Sequence, residues 1–384
     1  MRRLNLVTFV TAVSAFFFGS FFSKILSWVD QCPQHLSREY QKELYPKFFL
    51  VVLVLSPPRN AEQRNTIRRT WLQNANQLFY QPYLPEELIY LPTYSPDGHL
   101  QVELVEHQEN RLRQYMEWRD NVLTSDLPKE RKKRGWIKVK HVFAIGTWNI
   151  SSYLQAELLK EEKQYADLLL LQRHHDTYGN LTEKLLQALD TLRYHYEFSY
   201  VIKVDDDTYV KLDNLVNELV SYDQKLLRQK SNYGHHPLPQ LYWGYFNGRA
   251  TVKTKGQWKE TNYYLSKNYL PYALGGGYVL SRKLCEYIVN SSKILTHYVS
   301  EDVSVGTWLA PLRHVYRWHD PRFDTAYKPR KCQTYHMVLH KRNIKMMSDI
   351  YGGKLCSGIN SSSLTAYYYD WSRTSEKCCD NLVL

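Results

Sequence analysis

Residues Phe48-Phe49-Leu50-Val51-Val52-Leu53-Val54-Leu55 form an apolar run with no polar residue in it, closed by Ser56-Pro57-Pro58. A strand with one wet face alternates; an unbroken run suits a parallel strand covered on both faces. The pattern recurs at Val139 to Ile145 ahead of Gly146, at Leu168-Leu169-Leu170-Leu171, and at Tyr200-Val201-Ile202-Lys203-Val204. Helical patterns lie between these runs. One starts at Asn60, read as its cap, with Arg64, Ile67, Arg68 and Trp71 at three- and four-residue spacings. Another is capped by Ser151 or Ser152 and runs to about Tyr165. A third is capped by Asn180, has Glu183 at the capping-box position, and aligns Leu181, Leu185, Leu186, Leu189 and Leu192. A fourth aligns Leu212, Leu215, Val216, Leu219 and Val220. Strand and helix in alternation predict an α/β sheet with right-handed crossovers, whose ligands bind beyond the carboxyl ends of the strands.

At one such end stand Asp205-Asp206-Asp207. Three adjacent carboxylates repel unless water or a cation screens them, so the triplet reads as a hard-metal site or as a solvated turn. Residues 73–135 are irregular, with Pro82, Pro85, Pro92 and Pro96, a charged stretch from Glu103 to Asp120, and the basic run Arg131-Lys132-Lys133-Arg134. They read as a surface insertion, the basic run as a solvated loop or a processing site. Past residue 230 the chain turns aromatic: Tyr242-Trp243-Gly244-Tyr245-Phe246, then Gly275-Gly276-Gly277-Tyr278. The three glycines allow close approach of a ligand or a neighbouring strand, and no Gly-Lys-Ser/Thr follows to make a phosphate loop. Trp243 and Tyr278 suit stacking on a sugar as well as core packing. Ser300 reads as a helix cap, with Glu301 and Asp302 in the first turn.

No charge occurs from Leu4 to Ser23, after Arg2 and Arg3 and before Lys24. The expectation is a cytoplasmic tail at 1–3, a transmembrane signal anchor at 4–28, a stem at 29–46 and a luminal domain at 47–384; a cleaved signal peptide is the alternative. Sequons at Asn149, Asn180, Asn290 and Asn360 suit a translocated chain. Asn180 lies within the helix cap and is expected to be poorly glycosylated. Four of the six cysteines, Cys332, Cys356, Cys378 and Cys379, crowd the C-terminal part and read as disulfides. Adjacent Cys378 and Cys379 are expected each to reach back to Cys332 or Cys356, while Cys285 reads as a buried free thiol. With no Cys-x-x-Cys pair, zinc is not expected. The net charge of +12 fits a phosphate-bearing donor; a luminal chain does not meet nucleic acid.

Five motifs occur in order: Arg64-Asn65-Thr66-Ile67-Arg68-Arg69-Thr70-Trp71, Phe143-Ala144-Ile145-Gly146, Asp176-Thr177-Tyr178-Gly179-Asn180-Leu181-Thr182-Glu183-Lys184, the acidic triplet, and Glu301-Asp302-Val303. Together they resemble the Golgi β-1,3-glycosyltransferases, type II membrane proteins with a nucleotide-sugar-binding fold called GT-A. The likeness runs from about Phe48 to Cys379, interrupted at 73–135. Within that family Tyr242 to Arg249, Leu270 to Ser281, Trp308 to Pro311, His319 to Thr325 and Tyr369 to Ser372 resemble the galactosyltransferases of the glycosaminoglycan linkage region.

That resemblance implies transfer of galactose from UDP-galactose to the 3-hydroxyl of Gal-β1,4-Xyl on a proteoglycan core protein, in company with other linkage-region glycosyltransferases. It implies Mn2+ held by Asp207 and His340, with His319 and His336 as other candidates, and Asp205 and Asp206 on ribose or metal-bound water. It implies Arg64, Arg68, Asp176 and Lys184 on the nucleotide and Asp302 as general base. Glu301, Trp243, Gly276, Gly277 and Tyr278 would meet the sugars. A β-1,3-N-acetylglucosaminyltransferase, or a catalytically silent sugar-binding assembly partner on the same fold, are the other readings.

Overall fold

The computed structural model describes residues 46–75, 78–80, 89–124, 135–328, 330–356, 366–379 and 382–383. The expected tail, membrane span and nearly all of the expected stem lie outside them, as do the basic run and Asn360. Among the described residues no helix is long and apolar enough to cross a membrane.

Seven strands form the main sheet: β1 (Lys47–Leu55), β2 (Val139–Gly146), β3 (Leu168–Leu171), β4 (Glu197–Asp205), β6 (Gln240–Asn247), β7 (Tyr272–Ser281) and β8 (Val315–His319), with β5 (Tyr209–Val210) set apart from it. Their order is β3-β2-β1-β4-β7-β6-β8. Strands β1 to β4 are mutually parallel, β7 is antiparallel to both β4 and β6, and β8 is parallel to β6. The chain moves outward from β1 to β2 and β3, then returns to the other side of β1 as β4. That reversal is a topological switch point, where strand ends splay apart and leave a crevice. Ser56 and Asp205 stand at its lip.

The unbroken apolar run of β1 is explained by cover on both faces. Leu50, Val52 and Val54 meet α1 (Ala61–Arg69) and α5 (Leu212–Arg228) through Ile67, Leu215 and Leu219. Val51, Leu53 and Leu55 face α4 (Leu181–His195), α6 (Arg282–Ser291) and α7 (Glu301–Leu309) through Leu185, Leu189, Ile288 and Val305. Each such fully buried aliphatic side chain contributes roughly 1.5–3 kcal/mol.

Several local expectations are corrected. Helix α3 (Ser152–Tyr165) begins as read, with Ser151 Oγ accepting from Leu154 N–H at 3.3 Å. Asn180 precedes α4 but does not cap it: its amide donates to the His175 carbonyl at 3.1 Å. Neither Asn60 nor Ser300 caps through its side chain. For Asn180 and Asn60, competing partners, the His175 carbonyl and Asp206, win over the local backbone.

The surface insertion is in part a core element. Helix α2 (Val105–Thr124) packs Leu112, Tyr115 and Met116 against Tyr335 and Tyr368. Gln108 exchanges hydrogen bonds with the Tyr369 backbone at 2.9 and 3.1 Å. Arg111, buried, pairs with buried Glu103, which also accepts from the Tyr316 hydroxyl at 3.1 Å. A window rich in charge looks solvated because its pattern does not reveal which charges find partners.

The cysteines pair differently from the expectation as well. Cys332 bonds Cys356, their Cα atoms 5.0 Å apart, and Cys378 bonds its neighbour Cys379. The first pair packs on the face of the sheet that carries Leu50 and Val52. The second lies in the core on the opposite face, with Val51 and Leu53, so the sheet stands between the two pairs. Cys285 is buried and free, and burial pushes its thiol pKa up.

Candidate active site

A second, small sheet completes the crevice: β9 (Phe323–Asp324), β10 (Val338–Leu339) and β5. Strand β10 runs antiparallel to β5 with Leu339 opposite Tyr209, which carries the next residue, His340, to the acidic turn. The Arg342 N–H fixes this register by donating to the Asp207 carbonyl at 2.8 Å. His340 Nε2 thereby lies 3.0 Å from Asp207 Oδ1 and 3.4 Å from Asp205 Oδ2. Lys341 Nζ is 3.1 Å from Asp207 Oδ2.

Asp205, Asp207 and His340 each offer one donor atom, all within 4.8 Å of one another. Neither ring nitrogen of His340 makes an aligned hydrogen bond, although both are buried. Two carboxylates and an imidazole with an unsatisfied nitrogen aimed between them fit a divalent ion that accepts oxygen and nitrogen ligands, Mn2+ among them. The set therefore includes Asp205 beside the expected Asp207 and His340. Burial disfavours the imidazolium, yet the two carboxylates raise the His340 pKa to about 9. Burial likewise opposes ionisation of Asp207, and His340 outweighs it, so its pKa is lowered.

Lys203, two residues before Asp205, points to the same face of β4. Its Nζ is buried and donates to Asp205 Oδ1 at 2.8 Å, Glu301 Oε1 at 2.6 Å and the Gly275 carbonyl at 2.6 Å. All three of its donors are used. Burial works against ionisation of Asp205, but Lys203 and His340 hold its pKa well below the usual carboxylate range. Lys203 thus joins the triplet to the acids of α7.

The glycines of β7 let these groups meet. A Cβ on Gly276 would lie 2.5 Å from the His340 ring, one on Gly277 2.8 Å from Val338, and one on Gly275 3.1 Å from both Asp302 and Glu301. Asp302, half-buried in the first turn of α7, accepts from Gly275 N–H and Val303 N–H, each at 2.8 Å. Burial and the neighbouring Glu301 charge raise its pKa to about 7. Asp205, Asp302, Glu301, Gly276, His340 and Lys341 line one cleft of about 440 Å3, as do Tyr178 and Trp258.

The remaining expected residues separate into two groups. Asp176 accepts from Lys184 Nζ at 2.6 Å and from Gly146 N–H at 3.0 Å, and Lys184 also donates to the Ser56 carbonyl at 3.0 Å, so both sit at the switch point. Asp206 turns away from the triplet's cleft and accepts from Ser56 Oγ at 2.8 Å and Asn60 Nδ2 at 2.9 Å. Burial raises its pKa against those two bonds.

Arg64 and Arg68 have internal occupations. Arg64, fully buried, grips Glu161 at 2.8 and 2.6 Å and donates to the Pro57 carbonyl at 2.8 Å. Arg68 holds Asp167 at 2.8 and 2.7 Å and Glu161 at 2.7 Å. Their donors are committed to α3, Asp167 just after it, the turn after β1 and Asn65 of α1.

Trp243 and Tyr278 are core residues rather than sugar platforms. Trp243 is fully buried, stacks on Trp318 with ring centroids 4.6 Å apart and donates to Asp320 at 2.9 Å. Tyr278 is fully buried edge-on to Tyr242. His319 accepts from Phe246 N–H at 3.0 Å and donates to the Tyr367 carbonyl at 2.8 Å, and burial lowers its pKa to about 4. His336 is buried away from the triplet's donor set, with its pKa lowered to about 2 by burial.

Sequence reasoning missed Lys203, Tyr178, Trp258 and Tyr327. A lysine inside a buried strand could have flagged the first and the Asp176-to-Lys184 motif contains Tyr178, whereas Trp258 and Tyr327 stand in no motif and tens of residues apart.

Residues 119–317 match the family described as Galactosyltransferase. Beta-1,3-galactosyltransferase 6 of Mus musculus is 36% identical over 338 residues, spanning 87% of this chain and 83% of that protein. UDP-GalNAc:beta-1,3-N-acetylgalactosaminyltransferase 2 of Homo sapiens is 34% identical over 155 residues, 40% of this chain and 28% of that protein. Beta-1,3-galactosyltransferase 2 of Homo sapiens is 34% identical over 182 residues, 46% of this chain and 40% of that protein.

Proposed function

The chain belongs to the galactosyltransferase family, and from that premise we propose an inverting, metal-dependent β-1,3-galactosyltransferase that uses UDP-galactose. The observation that carries this reading is Asp302. Its carboxylate is oriented by two backbone N–H groups in the cleft that Asp205 and His340 also line, with Asp207 3.0 Å from His340.

In this reading the acceptor 3-hydroxyl attacks the anomeric carbon opposite the departing UDP while Asp302 takes its proton. An Asp302 pKa raised to about 7 strengthens it as a base while leaving about half of it ionised at neutral pH. Glu301 is pinned by Lys203 at 2.6 Å and acts on its neighbour through charge. A divalent ion bound by Asp205, Asp207 and His340 would supply Lewis-acid stabilisation of the leaving diphosphate. Lys341 adds a positive charge beside Asp207, and Asp176 with Lys184 shapes the nucleotide end of the crevice.

We read the acceptor as Gal-β1,4-Xyl on a proteoglycan core protein and the location as the Golgi lumen, with the anchor at 4–28. Asn149 and Asn290 are exposed and are the sequons we expect to carry glycan. The Asn180 amide is engaged with His175, in keeping with poor use of that sequon.

The test is a transfer assay with a panel of UDP-sugars and acceptors, with Mn2+ or with chelator, on wild type and Asp302→Asn. We expect galactose transfer to galactosyl-xylose, its loss in chelator, and a fall of about 10²–10⁴ in kcat for the variant with UDP affinity retained. Undiminished turnover in Asp302→Asn removes the base assignment, chelator-resistant turnover removes the metal, and preference for UDP-N-acetylglucosamine or UDP-N-acetylgalactosamine moves the donor.

A further inference from the structure

Three aromatic side chains from distant parts of the chain converge on the cleft. Trp258 Nε1 donates to the Tyr178 hydroxyl at 2.9 Å, with the two rings edge to face and centroids 6.0 Å apart. Tyr327 stands edge-on to Trp258 at 5.3 Å and 88°. Tyr178 precedes α4, Trp258 lies in the excursion between β6 and β7, and Tyr327 follows β9; all three line the cleft that contains Asp302. Tyr178 is 47% and Tyr327 66% exposed. Large aromatic surface held in the open by a specific hydrogen bond is unusual unless something covers it.

The position selects the ligand. The nucleotide end of the crevice is marked by Ser56, Asp176 and Lys184, none of which lines this cleft. Trp258 and Tyr327 instead share a cleft with Asp302, which Asn247 and Lys253 also line as polar groups. An apolar face ringed by a few hydrogen-bonding side chains matches a pyranose, which has C–H faces and a hydroxyl rim.

We propose that Trp258, Tyr178 and Tyr327 form a subsite for the second sugar of the acceptor, so that a disaccharide acceptor binds better than a single galactoside. The subsite rests on the transferase reading above and assigns it a specificity device: the first sugar presents its hydroxyl to Asp302, and the next lies on the indole.

The experiment compares full-chain wild type, Trp258→Ala, Trp258→Phe and Tyr327→Ala, using methyl β-galactoside and methyl Gal-β1,4-Xyl as acceptors. Trp258→Ala is expected to raise KM for the disaccharide by roughly 10-fold, with kcat, KM for the monosaccharide and UDP affinity little changed. Trp258→Phe should recover most of the loss, and Tyr327→Ala should show a smaller rise. Equal loss on both acceptors, weakened UDP binding, or no change in Trp258→Ala overturns the subsite. Should wild type transfer to neither acceptor, the transferase reading falls. Calorimetric binding of the disaccharide in the presence of UDP then decides the subsite alone: affinity lost in Trp258→Ala upholds it, and affinity unchanged rejects it.

Discussion

At Asp302 opposing influences meet within one side chain. Burial and the Glu301 charge favour the protonated acid, while Lys203 and the N–H groups of Val303 and Gly275 favour the carboxylate, and the balance leaves the pKa raised to about 7. A general base works only when deprotonated, so kcat/KM for the acceptor should fall as pH drops below about 7 and level off above it. Glu301→Gln removes the adjacent negative charge while keeping an acceptor for Lys203, so it should move that limb to lower pH. A pH profile of both proteins checks the sign: a limb that stays put or shifts upward in Glu301→Gln means another group sets it.

Strand β7 is the element that brings donor and acceptor groups together, and it does so by lacking side chains. With a Cβ on Gly276 only 2.5 Å from the His340 ring, alanine there must displace the ring or the strand. Overpacking of this kind costs about 1–3 kcal/mol, and a shifted ligand weakens metal affinity by about 10–100-fold. Gly276→Ala should therefore lower both the denaturant midpoint and the affinity for Mn2+ measured by calorimetry. Affinity at the wild-type value would show that the ring does not depend on this gap. On the opposite side, β4 holds Lys203 against Glu301, 98 residues on, and Asp205, so that a strand of the nucleotide half and a helix of the acceptor half share one cation.

Across the whole domain, the segment from Glu103 to Met116 ties the aromatic half together rather than hanging from it. Arg111 lies over the Trp318 ring at 4.8 Å, and Arg322, between Asp320 and Glu218, lies over Tyr115 at 4.7 Å. Breaking a buried pair by removing one partner leaves the other charge stranded, which costs about 3–5 kcal/mol. Arg111→Met should destabilise by that amount, and Glu103→Gln/Arg111→Met should recover a good part of it, as read from urea midpoints. A change within about 0.5 kcal/mol in the single variant would mean that water reaches Glu103 and the segment is dispensable.

Much of this protein is legible in the amino-acid sequence by itself, because some features are local. The doubly covered strands follow from the unbroken run at Phe48 and the run at Tyr200 interrupted by Lys203, and the apolar stripe of α4 follows from a period of 3.6 residues. Ordered motifs contain Asp205, Asp207 and Asp302, and the family resemblance implies His340; the fold brings Asp205, Asp302 and His340 into one cleft and Asp207 against His340. Pairings over long separations are another matter. Arg64 and Arg68 are held by Glu161, with Asp167 also on Arg68, Trp243 is sealed under Trp318, and Cys378 is cut off from Cys332 by the sheet. Trp258 meets the hydroxyl of Tyr178, 80 residues earlier, at the cleft. Periodicity and composition are set by neighbours along the chain, whereas a charge, ring or thiol acquires its role from whichever partner the folded backbone leaves within a few ångströms.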